Sequence, residues 1–283
     1  MQNLNSTGER LKTQPPDEIR TAVRENYGKV ALSSNTGSCC RPDSSDNSTC
    51  CGSSGEAEDS LEKISRSLGY SSDETAQAPG QSNLGLGCGN PQTIASLKTG
   101  ETVLDLGSGA GFDSFLAASA VGKTGRVIGV DMTPEMLNKA RANLKESKFS
   151  NIDFRLGEIE HLPVANESVD VIISNCVINL SPEKKNVFQE AFRVLKSGGR
   201  LAISDIVTTA ELPEEVRQDM TFYTGCVSGA SSIQDMEIVL REAGFDSIRI
   251  KPRNESRNFI KKWVPGSNAG DYVISATIEA VKP

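Results

Sequence analysis

Apolar positions are sparse in the first third of the chain and fall into two helical stripes. DEIRTAVRENYGKVAL, from Asp17, spaces Ile19, Val23, Tyr27 and Val30 along one face, and DSLEKISRSLGY repeats the pattern with Leu61, Ile64 and Leu68. Between them, Ser33 to Ser60 run for 28 residues without Val, Ile, Leu, Met or an aromatic, and nine are serine. Such a stretch buries too little to order itself and is expected to be a mobile loop. A glycine-rich bend, QSNLGLGCGNP, follows the second stripe.

From Glu101 the pattern changes to short apolar runs alternating with helical stripes. TVLDLGSG predicts a strand entering a glycine turn, and Phe112 to Val121 the helix after it. RVIGVDM predicts a second strand, and PEMLNKARANLKES a helix opened by proline with Met136, Leu137, Ala140 and Leu144 on one stripe. NIDFRLGE, VDVIISNCV and RLAISDIV predict strands three to five. PEKKNVFQEAFRVLKSGG supplies the helix before the fifth and is expected to stop at its two glycines. The tail adds a helix, IQDMEIVLREAG, and two strands, FDSIRIKP and YVISATIEAVKP. Apolar strands joined by crossover helices predict an α/β fold: a doubly wound, mostly parallel seven-stranded sheet.

Composition narrows the function. Thirty basic against thirty-seven acidic residues give a net charge of -7, with no basic cluster, so a nucleic-acid partner is not expected. The Lys184-Lys185 and Lys261-Lys262 pairs are expected on solvated helix faces. No apolar run is long enough to span a membrane, and MQNLNSTGERLKTQPPDE has no leader-like segment, so the chain is expected in the cytoplasm. A single histidine, His161, excludes two-histidine metal sites and disfavours histidine-based nucleophilic catalysis. Seven cysteines in a reducing compartment argue against a disulfide framework and leave core filling, metalloid ligation or redox chemistry.

The first strand ends in Asp105-Leu106-Gly107-Ser108-Gly109-Ala110-Gly111, a turn whose glycines let the backbone approach a ligand closely. Twenty-four residues after Gly107 the second strand ends in Asp131, a carboxylate placed for the hydroxyls of a nucleoside ribose. Alone, this fits a dinucleotide or S-adenosylmethionine; the GxGxG spacing and the lack of a second nucleotide-binding half favour the latter. DLGSGAG, VDMT, GEIEHLP and SNCVINL in that order resemble the motifs of class I S-adenosylmethionine methyltransferases. The resemblance implies that the glycine loop underlies the methionine part, Asp131 holds the ribose and Met132 packs on adenine. It further implies that Glu158 meets the adenine amine beside the backbone of Ile159, and that Asn175 lies near the methionine ammonium.

The acceptor is read from cysteines. Cys176 follows the fourth strand, which in a doubly wound sheet neighbours the first, so it falls beside the Gly107 turn. Cys88 lies in the bend GLGCGNP, and Cys226 in FYTGCVSGA, on the excursion that leaves strand five. Three convergent thiolates suit a thiophilic centre; zinc wants a fourth ligand, whereas trivalent arsenic needs only three. GLGCGNP, SNCVINL and the cysteine fifty residues later resemble those of arsenite methyltransferases. That resemblance implies that Cys88, Cys176 and Cys226 hold arsenite and that thiol reductants such as glutathione or thioredoxin are partners; acceptance of methylated arsenicals stays open. A further N-terminal cysteine takes part in that family; here Cys39, Cys40, Cys50 and Cys51 are the candidates. These adjacent pairs are open to three readings: incidental loop residues, an arsenic trap, or a thiol–disulfide relay.

The resulting division is 1–80 for N-terminal helices with the 33–60 loop, 81–210 for the cofactor-binding domain, and 211–283 for arsenic binding and sheet completion. Two rivals stay open from the residues alone: methylation of a small organic acceptor of quinone or sterol type, and a non-catalytic thiol-based metalloid binder.

Overall fold

A computed structural model describes residues 15–33, 54–261 and 269–283. The four cysteines Cys39, Cys40, Cys50 and Cys51 lie outside the described residues. The chain opens with α1 (Pro16–Leu32), α2 (Ser54–Leu68), and the short α3 (Ser72–Thr75) and α4 (Gln92–Ala95). Strands and helices then alternate: β1 (Thr102–Leu106), α5 (Phe112–Val121), β2 (Arg126–Asp131), α6 (Pro134–Glu146), β3 (Ile152–Leu156), β4 (Val169–Asn175), α7 (Lys184–Val194) and β5 (Leu195–Thr208). Two short helices, α8 (Glu214–Gln218) and α9 (Met220–Thr224), precede β6 (Ser231–Ser232), α10 (Ile233–Glu242) and β7 (Asp246–Arg253). Helices α11 (Arg257–Ile260) and α12 (Ala269–Tyr272) lead to β8 (Val273–Val281).

The strands form one sheet in the order β3-β2-β1-β4-β5-β8-β7, with β6 paired to the end of β5. β1 to β5 pair in parallel, and β8 is antiparallel to both neighbours. This is the doubly wound, mostly parallel seven-stranded sheet expected from the alternation, with a two-residue eighth strand added. Side chains alternate across it. Leu104 and Leu106 of β1 join Phe188, Val194 and Leu240 from α7 and α10, while Val103 joins Phe115, Leu137 and Ala140 from α5 and α6. Burial on both faces is what makes these strands uniformly apolar.

Two expectations are corrected. The segment read as a loop to Ser60 turns helical at Ser54, because the helix formers Glu56, Ala57 and Glu58 lead into the Leu61–Ile64–Leu68 stripe. The helix expected to run to Gly198-Gly199 stops at Val194, and β5 starts at Leu195. Leu195 already pairs with Val169, and the glycines form an irregularity inside the strand, with Gly198 at φ 77° and its N–H on the carbonyl of Lys282.

The winding reverses between β1 and β4, which are direct neighbours. A doubly wound sheet opens a crevice at the carboxyl ends of those strands, and there the chain carries the Gly107 turn and Asn175-Cys176.

Candidate active site

That crevice is a cavity of about 830 Å³. Its floor is the Gly107 turn, at φ +67°, where a Cβ would lie 2.4 Å from Val177 Cγ2. Only glycine allows both that backbone and that contact. Asp131 closes the turn: its carboxylate accepts from the N–H of Gly109 at 2.9 Å and of Thr133 at 2.8 Å. Burial pushes Asp131 up, and those N–H donors partly offset the shift. Asp105, accepting from Ser114 Oγ at 2.6 Å, is driven well above the carboxylate range by burial and by the neighbouring Asp113.

Asp105, Gly107, Ser108, Gly109, Asp131, Met132, Ile159 and Asn175 all line the cavity. Glu158 does not. Its carboxylate instead receives Arg24 at 3.2 Å and Arg20 at 3.6 Å, both from α1. Glu160 lines the wall there, 3% exposed, and accepts from Ser181 Oγ at 2.6 Å and Arg20 Nε at 3.3 Å. Arg20 also meets Glu183, so α1 is latched over the cavity, with Arg20, Val23 and Tyr27 among the lining residues. The α1 stripe predicts a packed helix, but nothing in the sequence pairs Arg20 with carboxylates 140 and 163 positions away.

Asn175 connects the Cys88 bend to Tyr70 and Asp113. Its Oδ1 accepts the N–H of Cys88 at 3.0 Å, and its Nδ2 lies 2.9 Å from Tyr70 Oη, 2.8 Å from the Gly89 carbonyl and 3.2 Å from Asp113 Oδ2. Tyr70 donates to Asp113 at 2.8 Å, and burial together with that carboxylate pushes its hydroxyl well above the ordinary range.

Cys88, Cys176 and Cys226 come together in one buried cluster, with exposures of 0%, 8% and 3%, and all three are unpaired thiols. Cys176 is central. Hydrogen bonding with the thiols of Cys226 and Cys88, then burial, holds its own thiol well above the ordinary range. Burial also pushes Cys88 up, with the nearby Asp205 adding to it, while the contact with Cys176 lowers it. Cys226 donates its Sγ–H to the carbonyl of Cys176 at 2.9 Å. Cys176 and Cys226 have left-handed backbones, φ 60° and 65°, a conformation that surrounding structure must hold in a side chain with a Cβ.

Two neighbours were not singled out in the sequence. Asp205 on β5 is fully buried; it accepts from the N–H of Ile178 and Ile206 and from Asn179 Nδ2, and burial raises it to about 6. An acid inside the apolar run LAISDIV, level with the end of β4, is the signal that marks it. Lys184, expected on a solvated face, is partly buried: its Nζ donates to the Gly229 carbonyl at 2.7 Å, and desolvation lowers it to about 8. The helix turns it inward because α7 begins under the Cys226 loop. Lys185 and Lys261 are exposed as expected, in ion pairs with Glu242 and Asp271, and Lys262 lies outside the described residues.

Comparison with known proteins accords with this geometry. A family model for a methyltransferase domain matches residues 97–244. An arsenite methyltransferase of Halobacterium salinarum is 51% identical over 100% of this chain, which covers 71% of that protein. The chain belongs to the arsenite methyltransferase family. The human arsenite methyltransferase is 41% identical over 54% of the chain and 43% of its own length. Among solved structures, an arsenic(III) S-adenosylmethionine methyltransferase from Chlamydomonas reinhardtii aligns with TM-score 0.59 and 33% identity, over 77% of this chain and 73% of that one. As in its family, the cofactor is S-adenosylmethionine.

Proposed function

We propose that the protein methylates trivalent arsenic held by the thiolates of Cys88, Cys176 and Cys226. The observation that carries this reading is the meeting of three cysteines from three distant segments, two of which, Cys176 and Cys226, line the crevice while Cys88 lies buried behind them. The crevice fits S-adenosylmethionine: its glycine turn has no room for a Cβ, and Asp105, Asp131 and Asn175 line it. When bound there, the cofactor supplies an electrophilic methyl on a sulfonium, which an arsenic lone pair can take in line without a general base.

The remaining work belongs to the chain. As arsenite enters, each thiol passes its proton to an arsenic-bound oxygen, which leaves as water, so three As–O bonds are exchanged for three As–S bonds. Cys226 turns its thiol from the Cys176 carbonyl to complete the set. Lys184, whose field reaches Asp205 and Cys226, offsets negative charge around the occupied site. Helix α1, latched by Arg20, keeps water from the reacting groups. Asn175 fixes the Cys88 backbone against the methionine end, so the arsenic and the methyl are held in register.

In this reading the described helices α1 and α2 of the 1–80 region cover the site, 81–210 bind the cofactor, and 211–283 bring Cys226 and complete the sheet. Taking up the methyl leaves arsenic pentavalent; two thiols return it to the trivalent state as they form a disulfide, which glutathione or thioredoxin reduces, and a reducing cytosol is the matching compartment. No described helix is long and apolar enough to cross a membrane. The test is incubation with methyl-labelled cofactor, arsenite and thiol, followed by speciation of the products. Labelled methylarsenicals are expected; cofactor turnover only with an organic acceptor would contradict the reading.

A further inference from the structure

The donors that crowd most closely here are not three sulfurs. The Sγ atoms of Cys88 and Cys176 and a carboxylate oxygen of Asp205 all lie within 4.8 Å of one another. Cys226 joins from one side, with its thiol turned to the carbonyl of Cys176. Two thiolates and a carboxylate are a mixed donor set, which trivalent arsenic has no reason to prefer and which zinc-like cations use readily.

We propose that Cys88, Cys176 and Asp205 form a site for a thiophilic divalent cation of the zinc–cadmium class, sharing two thiols with arsenite but not the third. Zinc–sulfur and zinc–oxygen bonds of about 2.3 and 2.1 Å put tetrahedral ligand atoms roughly 3.5–3.8 Å apart, so the three donors need close only slightly. Asp205 accepts from the N–H groups of Ile178 and Ile206 and from Asn179, and one of its oxygens still lies within reach of both thiols. Those donors also fix its orientation, as ligand-supporting hydrogen bonds do around metal centres.

A second observation points the same way. The hydroxyl of Ser275, fully buried, meets the Cys88 thiol and lowers it, as a donor to a ligating thiolate would. A hydroxyl already at the Cys88 sulfur is placed to bond the thiolate that a cation would create. On binding, both thiols release their protons to solvent. The resulting pair of thiolates and the carboxylate then carry three negative charges against two on the cation, with Lys184 nearby. A cation seated there excludes arsenite, because Cys88 and Cys176 cannot serve both.

The proposal rests on the arsenic reading only for the role of Cys226, and its test separates the two. The full chain carrying Cys39→Ser, Cys40→Ser, Cys50→Ser and Cys51→Ser, reduced and anaerobic, is titrated with cadmium chloride and separately with arsenite. Sulfur-to-cadmium charge-transfer absorption and calorimetry follow binding. A single cadmium per chain, displaced by arsenite, is expected. Asp205→Asn should lower the ratio of cadmium to arsenite affinity by about tenfold or more, and Cys226→Ser should raise it. An unchanged ratio in Asp205→Asn overturns the proposal, as does equal loss of both ligands in Cys226→Ser. The Cys226→Ser arm decides alone if Asp205→Asn does not fold. Unaltered arsenite affinity in Cys226→Ser, with the Asp205 effect intact, would instead remove the arsenic reading and leave the cation site standing.

Discussion

Cys176 touches both other thiols and is held in a left-handed turn by its N–H on the Ser204 carbonyl. Replacing it with serine removes a ligand while leaving that turn intact, so Cys176→Ser should keep its fold by circular dichroism and retain less than about a tenth of arsenite methylation. The raised thiols of Cys88 and Cys176 are neutral near pH 7. Arsenite is also neutral there, and the exchange releases water rather than protons. Its affinity should therefore vary less than about threefold between roughly pH 6 and pH 8, and a steep rise with pH would show that thiolates preform. Lys184 gives the opposite kind of signal. Its folded-state value of about 8 lies below the ordinary 10.5, so its contribution to stability is present above pH 10.5 and lost as pH falls towards 8. Urea unfolding of Lys184→Met, compared with the parent over that window, should lose a pH-dependent term of up to about 3 kcal/mol.

Helix α1 is where element-scale function concentrates. Its apolar stripe packs Ile19 and Val23 into the same cluster as the three cysteines, and Arg20 joins it to Glu158, Glu160 and Glu183. Arg20→Ala would strand the buried Glu160 carboxylate and loosen α1, at a cost of about 3 kcal/mol. Faster amide exchange within α1 and a raised KM for the cofactor, with little change in exchange of β1 and β4, would be its signature. Uniform exchange throughout the chain would instead mean that Arg20 supports the whole fold. The sequence shows α5 and α6 to their first residues because proline or a glycine turn marks each start. It hides the end of α7, since a glycine pair stops a helix and interrupts a strand with equal ease, and only pairing with Val169 distinguishes them. The stripe of α1 says that the helix packs; its charge partners are set by tertiary structure and leave no local trace.

At the scale of the whole molecule, topology explains why so much of the site could be read beforehand. Adjacency of β1 and β4 follows from the alternation of elements, and it alone places Cys176 beside the Gly107 turn. Asp131, Met132 and Asn175 fall into place for the same reason, each ending or following a strand that reaches the crevice. Glu158 misses the cavity because a helix from another part of the chain claims its carboxylate, and Asp205 escaped notice because an acid in an apolar strand names no partner. The claim that joins these scales is that three sulfurs grip a single arsenic atom. X-ray absorption at the arsenic edge of the arsenite-loaded, reduced protein tests it directly. The account predicts three sulfur neighbours and no oxygen, with an oxygen appearing in Cys176→Ser; an arsenic that keeps oxygen in the parent protein, or three sulfurs that survive loss of Cys176, would contradict it.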